Sequence, residues 1–143
     1  MKISNIGIEL IKKFEGYRSD AYLCPSKVWT IGWGTTIING VKVKEGDRIT
    51  IEKANEALLA DLKKFEAIVN SRIKINLTQN KFDALVSHTY NTGGSDKLFD
   101  LINQNGNGLE VRDWWEDSYI TSNGIRLNGL INRRLEEVKL FFY

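Results

Sequence analysis

A glycine-rich segment of β-forming residues interrupts a chain that is otherwise patterned for helices. Between residues 17 and 49 the helical spacing of apolar residues disappears, and Gly32 and Gly34 stand among β-branched and aromatic residues. Asn39-Gly40 within it is a dipeptide typical of a two-residue β-hairpin. The segment therefore predicts a small antiparallel sheet of two or three strands. A small sheet set between helices defines an α+β fold class.

Apolar residues recur at helical spacing on both sides of this segment. Before it, the spacing predicts a helix over residues 5–15, with Ser4 as its N-cap and Gly16 just past its end. The predicted apolar stripe of this helix comprises Ile6, Leu10, Ile11 and Phe14. After the segment, Thr50 is the expected N-cap of a helix over residues 51–70. At about 1.5 Å per residue that helix spans roughly 30 Å, which is long enough to join two lobes.

The rest of the chain predicts shorter helices. Thr78 and Ser95 are expected to cap two of them, and residues 105–108 are expected to end the second. A third helix is predicted from Leu109 to Tyr119, followed by a polar loop over residues 121–129. The last helix is predicted over residues 130–142, with one apolar face formed by Ile131, Leu135, Val138 and Phe142.

Length and composition describe one ordinary globular domain. The 143 residues contain no repeat or linker, so we expect a single domain. It divides into a β lobe at about 17–49, a connecting helix at 51–70 and a helical lobe at 71–143 that includes the N-terminal helix. The formal net charge is only +2 and no Lys/Arg cluster stands out, which argues against nucleic acid as a partner. We expect a monomer.

The cellular setting follows from what the sequence lacks. A single cysteine excludes an internal disulfide. The first sixteen residues lack the continuous apolar region of a secretory signal, and no run is long enough to span a membrane. We therefore expect synthesis in the host cytoplasm, with release by another route if the substrate lies outside.

Three residues in and beside the glycine-rich segment have side chains suited to glycoside hydrolysis. Glu15, Cys24 and Thr30 follow the spacing E-x8-C-x5-T. Hydrolysis of a glycosidic bond needs a proton donor for the leaving oxygen and help for a nucleophile. Glu15, at the end of an apolar helix, suits the first task, while Cys24 and Thr30 suit holding a water or attacking directly. From these residues alone, a structural role for all three is the favoured interpretation.

The same pattern resembles the catalytic signature of the phage-type lysozymes, glycoside hydrolase family 24. That signature is E-x8-(D or C)-x5-T, with the Thr in a T-I-G-x-G strand, and here Thr30 lies in WTIGWG. Other segments that resemble the family follow in the expected order: Leu77-Thr78-Gln79, Phe82-Asp83-Ala84-Leu85-Val86-Ser87, Tyr90-Asn91-Thr92-Gly93, Gly129-Leu130, Arg133-Arg134 and Glu137. The resemblance covers almost the whole chain.

The resemblance implies a two-lobed lysozyme fold, with a small antiparallel β-sheet lobe and a larger helical lobe joined by a long helix. It implies a muramidase that hydrolyses the β-1,4 bond between N-acetylmuramic acid and N-acetylglucosamine in bacterial peptidoglycan. Glu15 would be the general acid, and Thr30 would position the attacking water. Cys24 stands where most members carry Asp. Our hypothesis is that Cys24 and Thr30 hold a water and that the reaction inverts the sugar carbon, with a covalent thioglycoside as the less favoured route.

Other residues are candidates for supporting roles. The resemblance places Tyr90 and Asn91 on the wall of a substrate cleft, Asn91 to contact sugar and Tyr90 to pack. Trp33 is a candidate for stacking on a sugar ring, with a core role equally open. One of Arg133 and Arg134 is expected to orient Glu15, the alternative being a solvated basic face.

Two further positions are interpreted from sequence. Thr35 stands where many members of the family carry His, so it can replace that side chain only by hydrogen bonding and not by charge. His88, the single histidine, has no Cys or acid at metal-ligand spacing, so it is interpreted as a packing residue. No metal and no cofactor are predicted.

Three alternatives remain open at this stage. Because Cys24 departs from the usual Asp, a catalytically silent peptidoglycan-binding domain is the competing function. A transglycosylase that shares the fold is another option, distinguishable by the mass of its product. A phage or prophage endolysin and a secreted antibacterial effector would fit the same residues.

Overall fold

The computed structural model describes residues 1–105 and 108–143, and within them the α+β prediction is confirmed. The helices are α1 (Asn5–Glu15), α2 (Ile51–Arg72), α3 (Gln79–Thr92), α4 (Asp96–Asn105), α5 (Leu109–Asp117) and α6 (Asn128–Phe141). The strands are β1 (Arg18–Leu23), β2 (Trp29–Gly32), β3 (Ile37–Ile38), β4 (Val41–Lys42), β5 (Thr121–Ser122) and β6 (Ile125–Arg126). The predicted end of α4 falls partly on residues 106–107, which lie outside the described residues. None of the described helices is both long and apolar enough to cross a membrane.

The chain divides into two compact units. The β unit comprises Ile11–Lys64, and the helical unit comprises Met1–Leu10 together with Phe65–Tyr143. Both α1 and α2 contribute residues to each unit, so the division falls inside these helices and not at their ends.

The β unit contains two separate antiparallel ladders, where the sequence predicted one small sheet. β1 pairs with β2, and β3 pairs with β4. Asn39 and Gly40 both have positive φ, 50° and 79°, and they connect β3 to β4 as the hairpin dipeptide predicts. The core of this unit is formed by apolar residues of α1, β2 and α2, together with one residue just after β4: Ile11, Ile31, Val43, Ala54, Leu58 and Leu62.

The helical unit is built around a larger core. Its buried apolar residues include Val69, Phe82, Leu85, Leu98, Ile102, Val111, Trp115, Val138 and Phe141. The cap predictions for this unit are confirmed, since Thr78 Oγ1 accepts from the Lys81 N–H and Ser95 Oγ accepts from the Leu98 N–H. α3 ends before Gly93, whose φ is 86° and whose N–H donates to the Thr89 carbonyl.

Buried Asp83 organises the start of the chain differently from the prediction. Ser4 does precede α1, but its hydroxyl donates to Asp83 Oδ2 and its backbone N–H donates to Asp83 Oδ1 at 2.9 Å. The predicted stripe of α1 is also wrong at Ile6, which is 61% exposed. Gly7 is buried in its place, because the helix approaches Asp83 closely there.

Two predictions for the C-terminal region are wrong. The polar loop contains a further hairpin, β5–β6, whose turn Asn123-Gly124 has positive φ at both residues. The predicted apolar face of α6 includes Leu135, which is 45% exposed. The buried side chains of that helix instead include three charged residues, Arg133, Arg134 and Glu137.

Gly7→Ala is expected to destabilise the protein by about 1–3 kcal/mol, the usual range for overpacking a core. A Cβ at this position would lie 2.6 Å from Ile3 Cγ1 and 2.9 Å from Asp83 Cβ and Cγ. Gly129→Ala is the matched control, because a Cβ there meets nothing within 4 Å. Urea denaturation measures both, and equal stability of the two variants would contradict the close approach at Gly7.

Candidate active site

A tight turn between β1 and β2 positions Cys24. The Cys24 N–H donates to the Val28 carbonyl at 3.0 Å, and the Lys27 N–H donates back to the Cys24 carbonyl at 2.8 Å. The three residues between Cys24 and Val28 form a short hairpin loop, in which Pro25 favours the first turn position and Lys27 takes a positive φ of 63°. Cys24 is therefore the closing residue of the hairpin, and its side chain is partly accessible.

The environment of the Cys24 thiol favours its ionised form. Ser26 Oγ lies 3.0 Å from Cys24 Sγ, and this contact is the main reason that the pKa of the thiol is lowered to about 7. The Val28 backbone is the next cause that lowers this pKa, burial opposes the shift, and the Ser26 backbone and the Thr30 side chain lower the pKa by less. A substantial fraction of Cys24 is consequently thiolate near neutral pH.

Thr30 lies at the same end of the hairpin. It is 5% exposed, and its Oγ1 donates to the Val28 carbonyl at 3.0 Å. Its side chain also makes a minor contribution to the lowered pKa of Cys24. The structure thus brings together two of the three side chains predicted from the E-x8-C-x5-T pattern.

Glu15 is linked to this pair through Tyr22. Glu15 is the last residue of α1 and is half-buried, and Gly16, with a φ of 72°, turns the chain into β1. Burial raises the pKa of Tyr22, the charge of Glu15 raises it further, and Cys24 adds a smaller effect against the opposing charge of Arg18. The phenol is therefore within electrostatic reach of both groups. Tyr22 was missed in the sequence, where its position two residues before Cys24 was the available signal.

Trp33 is held by three neighbours within the β unit. Its indole N–H donates to Asn55 Oδ1 at 2.8 Å, and its ring lies 5.5 Å from the Tyr17 ring. Lys12 Nζ is 5.1 Å from the centroid of the same ring. These contacts fix the orientation of a half-buried indole, whether it stacks on sugar or serves packing alone.

Thr35 is fully buried beside Asp61 of α2. Burial raises the pKa of Asp61, and the Thr35 hydroxyl opposes that rise. Thr35 Oγ1 makes no hydrogen bond of normal geometry within the described part of the chain, so a hydrogen-bonding role for Thr35 stays a prediction.

In the helical unit, Arg133 and Arg134 are both buried and share the carboxylate of Glu137. Arg134 Nε lies 2.8 Å from Glu137 Oε1, and Arg133 Nε lies 3.4 Å from Glu137 Oε2. Ser87 Oγ donates to Oε2 at 2.6 Å and Trp115 Nε1 donates to Oε1 at 3.2 Å. The alternative of a solvated basic face is therefore wrong.

One arginine of this pair also contacts a residue that was predicted to bind substrate. Arg134 Nη2 donates to Asn91 Oδ1 at 2.7 Å, so a buried cation orients an exposed amide at the end of α3. Tyr90 is half-buried, and its ring meets the Phe65 ring edge-on at 5.3 Å. That contact agrees with the packing role predicted for Tyr90.

His88 is buried among aromatic rings. Its ring lies 5.3 Å from Trp115 and 5.6 Å from Tyr119, edge-on to each. Burial lowers its pKa well below the usual value, and the charges of Arg134 and Arg133 add to the effect, so His88 is neutral at pH 7. The packing interpretation of His88 is consistent with this environment.

Comparison with known proteins agrees with the fold. The phage lysozyme family model matches residues 12–137. The endolysin of Acyrthosiphon pisum secondary endosymbiont phage 1 is 37% identical over 150 residues, which cover 99% of this chain and 98% of the relative. The endolysin of Bacillus phage PZA is 37% identical over 147 residues, but this chain spans only 55% of its length.

A solved structure gives the same result. The endolysin from Escherichia coli O157:H7 phage FAHEc1 matches with a TM-score of 0.88 and 39% identity, over 99% of this chain and 93% of that one. The fold together with these matches defines a lysozyme-type glycosidase. More specifically, the chain belongs to the phage lysozyme family, and it is a muramidase.

Proposed function

We propose that this chain is a cell-wall endolysin of glycoside hydrolase family 24 in which Cys24 takes the place of the usual Asp. Its substrate is the β-1,4 bond between N-acetylmuramic acid and N-acetylglucosamine in peptidoglycan. The observation that supports this best is the grouping of Cys24 and Thr30 on one hairpin of the unit that also contains Glu15. We further propose that residues 1–143 act as one domain and as a monomer.

The proposed reaction uses Glu15 and Cys24 as acid and base. Glu15 donates its proton to the glycosidic oxygen as the C–O bond breaks. A water held by Thr30 and Cys24 attacks the anomeric carbon from the opposite face, and its proton passes to the Cys24 thiolate. The product sugar has inverted configuration, and both groups return to their starting states by exchange with solvent. Retained configuration in the first product, measured by NMR, would contradict this route.

Other residues have supporting roles in this proposal. We propose that three residues bind substrate: Trp33, Tyr90 and Asn91. We also propose that Arg133 or Arg134 orients Glu15. None of these roles is needed for the grouping of Cys24 and Thr30, so each can be tested by itself.

Turbidity clearing of purified bacterial walls, followed by mass spectrometry of the fragments, tests the function. Hydrolysis is expected to release fragments with intact reducing ends. Fragments with an anhydro end, which lack one water, would identify a transglycosylase. Binding to walls without clearing would support the catalytically silent alternative.

Ser26→Ala is expected to raise the pKa of the Cys24 thiol above about 7, because it removes the contact that lowers this pKa most. Cys24 is the single cysteine in the chain, so the pH dependence of alkylation by iodoacetamide reports this group alone. Ser122→Ala, on an exposed strand of the helical unit, is the control and should leave the titration unchanged. A titration near the usual thiol value in the unmutated protein would contradict the proposed thiolate base.

A further inference from the structure

Tyr22 lies on the same face of the β1–β2 hairpin as Thr30 and Cys24. Tyr22 pairs directly with Thr30 across the ladder, and directly opposed residues of antiparallel strands point their side chains to one face. Cys24 follows just past the end of β1, and its N–H donates to the Val28 carbonyl at 3.0 Å, which continues the pairing and the side-chain alternation to that face. The phenol therefore shares a face with both side chains that the proposed mechanism assigns to the attacking water.

Arg18 fixes the ring of Tyr22. The guanidinium carbon of Arg18 lies 4.3 Å from the centroid of the ring, within the range of a cation–π contact. The ladder is irregular between Arg18 and Tyr22, and an irregularity of this kind re-aims the side chains beside it. The ring is consequently held between the guanidinium and the ladder, and its hydroxyl has a restricted range of positions.

Burial and the nearby charges keep the phenol of Tyr22 protonated. Burial, Glu15 and Cys24 all raise the pKa of Tyr22, and Arg18 opposes them only in part. Tyr22 is thus a neutral hydrogen-bond donor throughout the pH range in which Cys24 titrates. A neutral donor is the group suited to orienting a water whose lone pair must point at a sugar carbon.

We propose that Tyr22 is a positioning residue of the hydrolytic site, whose phenol O–H donates to the water held by Cys24 and Thr30. The inference rests on the proposed function, because it assigns Tyr22 a role through that water. Tyr22 carries out no proton transfer itself. It limits the orientations of the water and leaves proton removal to Cys24.

Tyr22→Phe tests the proposal, because it removes the hydroxyl and keeps the ring beneath Arg18. Losing one orienting hydrogen bond is expected to lower kcat about 10-fold with KM unchanged, the pattern of an interaction made in the transition state. Soluble peptidoglycan fragments serve as substrate. The pKa of Cys24, measured by alkylation, should stay at about 7, which a disrupted hairpin would not allow.

A double-mutant cycle separates positioning from packing. In a Cys24→Ala background the water has lost one of its holders, so Tyr22→Phe should lower kcat there less than 3-fold. An equal loss in both backgrounds would overturn the proposal, as would a Tyr22→Phe enzyme within 2-fold of the unmutated kcat. Arg18→Gln removes the contact that holds the ring but leaves the phenol unchanged, and it should also lower kcat. This second variant tests the proposal if Tyr22→Phe folds poorly.

Tyr119→Phe is the matched control, because Tyr119 packs against His88 and Trp114 in the helical unit. It should leave kcat unchanged. Failure of the proposed function gives a different result. If the unmutated protein releases no reducing ends, the proposed hydrolysis itself is wrong. If the unmutated protein and the Tyr22→Phe variant are both fully active, only the role proposed for Tyr22 is wrong.

Discussion

Glu15→Gln is expected to reduce the rate of wall hydrolysis by roughly 10²–10⁴-fold, the usual contribution of a general acid. The amide keeps the size and hydrogen-bonding shape of the side chain but has no proton to give to the leaving oxygen. Glu15 is the half-buried last residue of α1, directly before the turn at Gly16. Clearing of purified walls and release of reducing ends measure the loss.

Binding should survive this substitution. Glu15→Gln is expected to sediment with insoluble walls as the unmutated protein does, because binding and proton donation are separate tasks. Glu9→Gln, on an exposed position of the same helix, is the matched control and should clear walls normally. A Glu15→Gln variant that clears walls within tenfold of the unmutated rate would show that another group donates the proton.

The helices were predictable because their apolar residues recur at a clear period. α1 has the predicted bounds, and α2 begins at the predicted residue and extends two residues past the predicted end. Asn39-Gly40 was predicted as a hairpin because two consecutive residues with positive φ favour that dipeptide. The same signal at Asn123-Gly124 was overlooked, since the short strands beside it are polar and exposed.

β1 was hard to predict for a related reason. Its sequence RSDAYL has no β-branched residue, and its position in the ladder is set by pairing with β2 rather than by its own propensity. Because β1 was not predicted, the sequence did not indicate that the side chains of Tyr22 and Cys24 lie on one face. The candidate catalytic residues themselves came from spacing and resemblance, which identify side chains but not the groups that surround them.

The face of α6 was not predictable from apolar periodicity, because the method treats charged residues as exposed. Leu135 follows the apolar period, yet it is 45% exposed, while Arg134 and Glu137 are fully buried. Burial of these charges depends on partners from other helices, including Ser87 and Trp115, which no local pattern reveals. A buried charged face is therefore a property of the tertiary structure.

That buried charge cluster gives the largest expected effect on stability. Glu137→Gln should destabilise folding by about 3–5 kcal/mol, the usual result of removing one partner from a buried ion pair. Glu137 is the shared acceptor for both buried arginines, at 2.8 Å from Arg134 and 3.4 Å from Arg133. The amide fills the same space but removes the carboxylate charge that both arginines share. The melting temperature should fall by roughly 10 °C or more for a domain of this size.

Glu116→Gln is the matched control for this loss. Glu116 pairs with Arg112 at 3.9 Å on the surface of α5, where the two side chains are 33% and 45% exposed. Solvent-exposed pairs of this kind contribute about 0–1 kcal/mol, so the control should melt close to the unmutated protein. Equal melting temperatures for the two variants would mean that the arginines find other compensation when Glu137 loses its charge. A selective loss at Glu137 would instead show that the cluster depends on its central carboxylate, which also fixes the Arg134 guanidinium that orients Asn91.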